Sequence, residues 1–223
     1  MIVVATNNGK DYLPALLDSF REFGTGGRKV VIMDTGSTCE VSKSYIAAAI
    51  GDDWPFELEA DSTPYRGYDT GAYIHAYRSR PADDYVFLQD SVMVKHEGWL
   101  NEFESRATHG VGCVPWLTFP MQWDNQEEVD WVREKYRTDQ WPPFGIFGPF
   151  FYARREALDS LDKNGYLDII PSRKLEQQAM ERGWSTAFVL SGWGVRPVET
   201  FFDETSLRGD KYRDLTKRFA VRN

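Results

Sequence analysis

The sequence predicts an α/β fold, a mainly parallel central sheet flanked by helices, and three observations carry that expectation. Short β-branched runs near the start alternate with stretches of helical spacing, the order that builds parallel sheets with right-handed crossovers. The apolar run Tyr85-Val86-Phe87-Leu88 has the make-up of a strand buried on both faces and gives way abruptly to Gln89-Asp90-Ser91. Polar residues follow the strands in turn (Thr6 and Asn8, Asp34, Asp61, Asp90), and a parallel sheet gathers such residues along one edge, the usual ligand crevice.

Taken in order, residues 2–5 form the first strand, broken by Thr6-Asn7-Asn8-Gly9. Leu13, Leu16, Leu17, Phe20 and Phe23 recur at helical spacing, with Pro14 tolerated in the first turn, so 12–23 reads as a helix. Gly24-Thr25-Gly26-Gly27 turns the chain into a second strand, 29–33, which ends at Asp34-Thr35-Gly36-Ser37. Residues 45–50 read as helix and 56–60 as a third strand. Residues 64–80 begin as a loop and become a helix with Asp69 or Thr70 at its N-cap and Tyr73 and Tyr77 four apart on one face. His75, inside that helix, reads as a core or surface residue. After the strand at 85–88 come a second apolar run, 92–94, and a strand at 110–114. A helix over 124–136 and a strand running into a helix at 150–161 follow. A helix from Lys174 is expected to stop at Gly183, with a last strand at 186–190.

Composition narrows the function. A hydrophobic share of 42% supports a substantial core, and a net charge of -8 argues against a general polyanion binder. The charge is uneven: from residue 205 onward six Lys/Arg and two Asp give +4, so the remainder carries -12. This sets a basic tail, 205–223, against a body of 1–204. Within the body, residues 115–148 hold four of the eight tryptophans (Trp116, Trp123, Trp131, Trp141), and a long aromatic loop in a compact domain is usually functional. It reads as an acceptor pocket or lid, or as a dimer surface. Two cysteines, Cys39 and Cys113, make no disulfide framework, and neither a leader nor a bilayer-spanning run is visible, which predicts a cytoplasmic protein. Gly24-Thr25-Gly26-Gly27 precedes a strand instead of following one, so it is no dinucleotide fingerprint, and there is no Walker sequence. A sugar-nucleotidyltransferase should carry a glycine-rich loop with Arg and Lys after the first strand, which Asn7-Asn8-Gly9-Lys10 matches poorly.

Four features in a fixed order resemble family-two nucleotide-sugar glycosyltransferases of the GT-A fold, a single Rossmann-like domain. They are the Asp34-Thr35-Gly36-Ser37 turn, the Gln89-Asp90-Ser91 triplet with Gly98-Trp99-Leu100, the Arg154-Arg155-Glu156 junction, and the helix opening at Glu176. The resemblance covers roughly residues 1–200 and implies a UDP-sugar donor, an acceptor hydroxyl and inversion. It places Thr6, Asn8 and Asp34 at the nucleoside. Arg66, Asp69, Gln89, Asp90 and Ser91 fall at the rest of the donor, and Glu176 at the acceptor as general base. Trp116, Trp141 and Phe147 are candidate acceptor contacts. Asp90 is the candidate ligand of Mn²⁺ or Mg²⁺. The family's usual acidic pair appears here as Glu176-Gln177, and its later metal-binding histidine is absent: Ser191-Gly192-Trp193-Gly194-Val195-Arg196 stands in its place. Those departures keep two alternatives open, transfer to a hydroxylated base in DNA and a GT-A-like binding module without turnover.

Overall fold

The computed structural model describes residues 1–9, 11–65, 68–116, 126–140, 142, 145–198 and 215–217. Its main sheet has seven strands in the order β3-β2-β1-β4-β7-β6-β8. In chain order these are β1 (Ile2–Thr6), β2 (Val30–Asp34), β3 (Leu58–Ser62), β4 (Asp84–Gln89), β6 (Gly110–Trp116), β7 (Gly145–Arg154) and β8 (Gly194–Pro197). The first four run parallel to one another. β7 is antiparallel to β4 and β6, and β6 is parallel to β8. A two-stranded sheet pairs β5 (Val92–Val94) with β9 (Leu215–Lys217), which sets Lys217 of the basic tail opposite Val92. The rest of the tail lies outside the described residues. The fold class read from the sequence is the one observed.

Helices cover both faces. β1 is buried throughout, and its alternate side chains serve two cores. Ile2 and Val4 pack with Leu16, Leu17 and Phe20 of α1 (Leu13–Phe23), Ile46 of α2 (Glu40–Gly51) and Phe103 of α4 (Asn101–Arg106). Val3 and Ala5 face Tyr73 and Tyr77 of α3 (Tyr68–Ser79), Trp131 of α5 (Gln126–Tyr136), Leu158 of α6 (Arg155–Lys163) and Trp184 of α7 (Lys174–Leu190). Tyr73 and Tyr77 are thus core residues, and His75, half-buried, lies 4.0 Å from Asp61. Asp61 is also paired with Arg80 at 3.0 Å, which makes it a structural carboxylate on β3.

One element departs from the sequence reading. Gly183 does not end its helix, and the strand expected at 186–190 is the last part of the 17-residue α7. The helical period continues through Met180, Trp184 and Phe188, all buried, and tertiary burial outweighs the low helix propensity of Gly and Thr. Gly183 serves packing: a Cβ there would lie 2.8 Å from Tyr136 Oη of α5. Smaller shifts are that α2 starts at Glu40 and that β3 occupies 58–62.

A chain of rings fixes α3 and α7 relative to the sheet. Tyr73 lies 4.8 Å from Phe87 of β4, Phe87 4.9 Å from Phe151 of β7, and Phe151 5.1 Å from Trp184 of α7, measured between centroids. The Trp184 indole then donates to Thr70 Oγ1 at 3.3 Å, joining α7 back to the first turn of α3.

Candidate functional site

Because β3, β2, β1 and β4 are parallel and in register, Ser62, Asp34, Thr6 and Gln89 end together on one edge. The first turns of α3 and α7 reach the same edge. Together they enclose a cleft of about 160 Å³. The strands contribute Ala5, Thr6, Asn7, Thr35, Gln89 and Asp90; the helices contribute Tyr68, Asp69, Lys174 and Gln177.

Asp90 is fixed by β1. Its amide donates to Ala5 O at 3.0 Å, and its Oδ2 accepts the Thr6 hydroxyl at 2.6 Å, the length of a charge-assisted bond. Gly9 makes room for that pair: a Cβ there would overlap both Thr6 Oγ1 and Asp90 Oδ2. Gly9→Ala is therefore expected to leave the fold standing and weaken ligand binding in the cleft by roughly 10-fold to 100-fold, as losing a supporting contact to a ligating carboxylate does. Parallel circular-dichroism melts and titrations with UDP, the donor nucleotide that the sequence resemblance implies, check both halves. Asp69 is buried; its Oδ1 accepts from the Thr70 amide at 3.0 Å and its Oδ2 from the Gln89 side chain. Behind this pair the Tyr73 phenol is held well above its usual range, by burial first and then by the charges of Asp69 and Asp90, so it stays neutral.

The other expected donor residues are placed differently. Asn8 adopts φ 54° and spends its Oδ1 on the amides of Thr38 (2.9 Å) and Cys39 (2.8 Å), capping the entry to α2. Asp34 closes its own turn, accepting from Ser37 N at 2.8 Å and Gly36 N at 3.2 Å. Both shape the loops beside the cleft, while Asn7 and Thr35 line it. Ser91 is half-buried and is not among the lining residues. Phe147 of β7 is partly buried against the core cluster that includes Ile2 and Phe20, and is not among the residues lining the cleft. Arg66, Trp141 and the side chain of Trp116 lie outside the described residues.

Glu176 sits one residue from the lining Gln177, but its carboxylate is not among the lining groups. It closes a capping box at the start of α7. Oε2 accepts from Ser172 N (2.7 Å), Ser172 Oγ (2.9 Å) and Arg173 N (3.3 Å), and Oε1 from Arg173 Nε (3.0 Å). Burial works against the charge, yet the Ser172 and Arg173 bonds outweigh it and hold the carboxyl at about 2. A folded-state value below the usual 4.5 means the stabilisation is fully present above about pH 4.5 and is lost as pH falls towards 2. Wild type should therefore exceed Glu176→Gln in stability near neutrality by about 1 kcal/mol, with the gap closing between those pH values in urea titrations.

Several lining residues carried no sequence signal. Tyr68, Lys174 and Gln177 reach the cleft only because the ring chain docks α3 and α7 there. Tyr68 has φ 49°, uncommon for a bulky residue, and the residue is 41% exposed. The Glu176-Gln177 pair was visible, but which member faces the cleft depends on the phase of α7.

The donor set can be tested against a divalent metal. Among the described residues no three acidic, His or Cys groups cluster. Asp69 and Asp90 line one cleft with the Gln89 amide, and Mg²⁺-type ions are commonly held by one or two carboxylates plus substrate phosphates and water. The residues fit an ion shared with a phosphate ligand, not an all-protein cage.

No family model matches the chain, and none of the curated proteins does. Among solved structures, GalNAc-T7 with UDP, GalNAc and Mn²⁺ is similar over 82% of this chain and 40% of that one, with a TM-score of 0.55 at 14% identity. S. aureus TarS in complex with UDP-GlcNAc aligns over 81% of this chain and 52% of that one, with a TM-score of 0.47 at 16% identity. The chain thus spans about half or less of the length of these proteins. The fold is of the GT-A type. Among the described residues no helix is long and apolar enough to cross a membrane.

Proposed function

We propose that the protein is a glycosyltransferase that moves a sugar from a UDP-sugar to an acceptor hydroxyl with inversion. The observation that supports this best is Asp90, fixed by Thr6 at the carboxyl end of β4, sharing one cleft with Asp69 and the first turn of α7. In this reading the nucleoside lies over Asn7 and Thr35, towards β2, and the diphosphate over Asp90. Mn²⁺ or Mg²⁺, held by Asp90 and Asp69, would neutralise diphosphate charge. Lys174, on the α7 side of the cleft, supplies a positive charge as the diphosphate departs, and clamps of this kind stabilise developing anions.

A base role for Glu176 would require its carboxylate first to leave Ser172 and Arg173, because a group held at about 2 is a weak base. Glu176→Gln separates the alternatives. A base role requires transfer to fall by roughly 10²-fold or more. The capping geometry leads us to expect near-normal transfer with a lower melting temperature.

The test is a panel of UDP-sugars with Mn²⁺, Mg²⁺ or a chelator, scoring release of free UDP alongside the melting temperature. Release from one donor above the protein-free rate supports the proposal, and ligand binding to the folded form raises the melting point. A rise in melting temperature with UDP but no release from any donor, with saccharide or hydroxylated-DNA acceptors present, assigns a binding module.

A further inference from the structure

Gln177 is 5% exposed and lines the cleft, yet among the described residues its Oε1 has no hydrogen-bond partner. A buried acceptor left empty costs stability and is rare in native structures, so each case needs a reason. The residue lies in the first turn of α7, a long helix anchored through Trp184, so the amide is held in place and not merely passing through the cleft. Beside it are Lys174 and Tyr68, the ammonium 5.7 Å from the centre of the exposed ring. The positive φ of Tyr68 is the kind of backbone strain that persists at ligand sites.

Resting on the reading above, we propose that Gln177 determines sugar specificity: its carbonyl oxygen accepts a hydrogen bond from a hydroxyl or amide N–H of the donor's sugar, which lies between it and the Tyr68 ring. The order of the strands assigns the sugar, not the nucleoside, to this place. In the sheet order β2-β1-β4-β7, Asn7 and Thr35 belong to the β1–β2 side, Asp90 follows β4, and α7 packs on β7, so Gln177 lies beyond the diphosphate position. A carboxamide takes no proton at neutral pH, so this is a specificity residue and not a base.

Calorimetric titration with UDP and with UDP-glucose, UDP-galactose, UDP-GlcNAc, UDP-GalNAc and UDP-glucuronic acid, without acceptor, tests the assignment. Wild type should bind one UDP-sugar more tightly than UDP. Gln177→Leu should bind UDP as wild type does, lose roughly 10-fold or more in affinity for that UDP-sugar, and melt no lower than wild type because it removes an unpaired polar group. Gln177→Glu, which keeps an acceptor oxygen, should retain the preference. An unchanged preference in Gln177→Leu, or a lower melting temperature with UDP and UDP-sugar weakened equally, overturns the inference and leaves the transferase reading intact. Wild-type binding of UDP but of no UDP-sugar more tightly also overturns it. Failure of wild type to bind UDP at all removes both.

Discussion

Asp90→Asn should lose UDP-sugar transfer by roughly 10²-fold or more while melting close to wild type. The substitution is nearly isosteric, and an amide oxygen can still accept the Thr6 hydroxyl, so the β1–β4 edge keeps its shape. What disappears is the charge that would hold a metal against the diphosphate. Asp34→Asn is the matched control. Asp34 accepts backbone amides within its own turn and does not line the cleft, so its effect on transfer should be far smaller. Equal losses at the two positions would show that general acidity of this edge matters and not the placement of Asp90.

Glu128→Ala should lower stability by about 3 kcal/mol, near the lower bound for removing one partner of a buried ion pair. Arg182 of α7 and Glu128 of α5 are 8% and 6% exposed and 3.5 Å apart, and removal of the acid takes a charged partner from a guanidinium in the interior. Glu181, 3.9 Å from the same Arg182 nitrogen, offsets part of the loss. In a chain of this size that corresponds to a fall of roughly 6–12 °C in melting temperature. The double replacement Glu128→Leu with Arg182→Met should recover most of it, since apolar pairs often substitute for buried ion pairs without loss. No recovery would mean that the charges hold the register of α5 on α7 and not merely each other.

The parallel half of the sheet was legible because its strands are buried on both faces and so appear as unbroken apolar runs: residues 2–5, 29–33 and 85–88 were placed within a residue or so. The parallel register then put Thr6, Asp34 and Gln89 on one edge, as the order of polar residues implied. The end of α7 was misread because Gly183 and the run at 186–190 carry local signals for a cap and a strand. Packing of Gly183 against Tyr136 and burial of Trp184 and Phe188 override them. The same blindness applies at the site. A sequence shows that Asn8 and Asp34 are polar loop residues but not that the amides of Thr38, Cys39, Gly36 and Ser37 already engage them. It shows Glu176 beside Gln177, but the helix phase that turns the amide inward and leaves the carboxylate capping Arg173 comes from tertiary docking.

The central claim, that the cleft at the ends of β1 and β4 holds the donor's diphosphate, is tested most directly by a crystal structure of the protein soaked with UDP and Mn²⁺. The account predicts phosphate density against Asp90 and Asp69, with the uridine over Asn7 and Thr35. UDP seated instead at the opposite edge of the sheet, in the larger groove of about 530 Å³ lined by Phe20, Arg28 and Phe56, would contradict it.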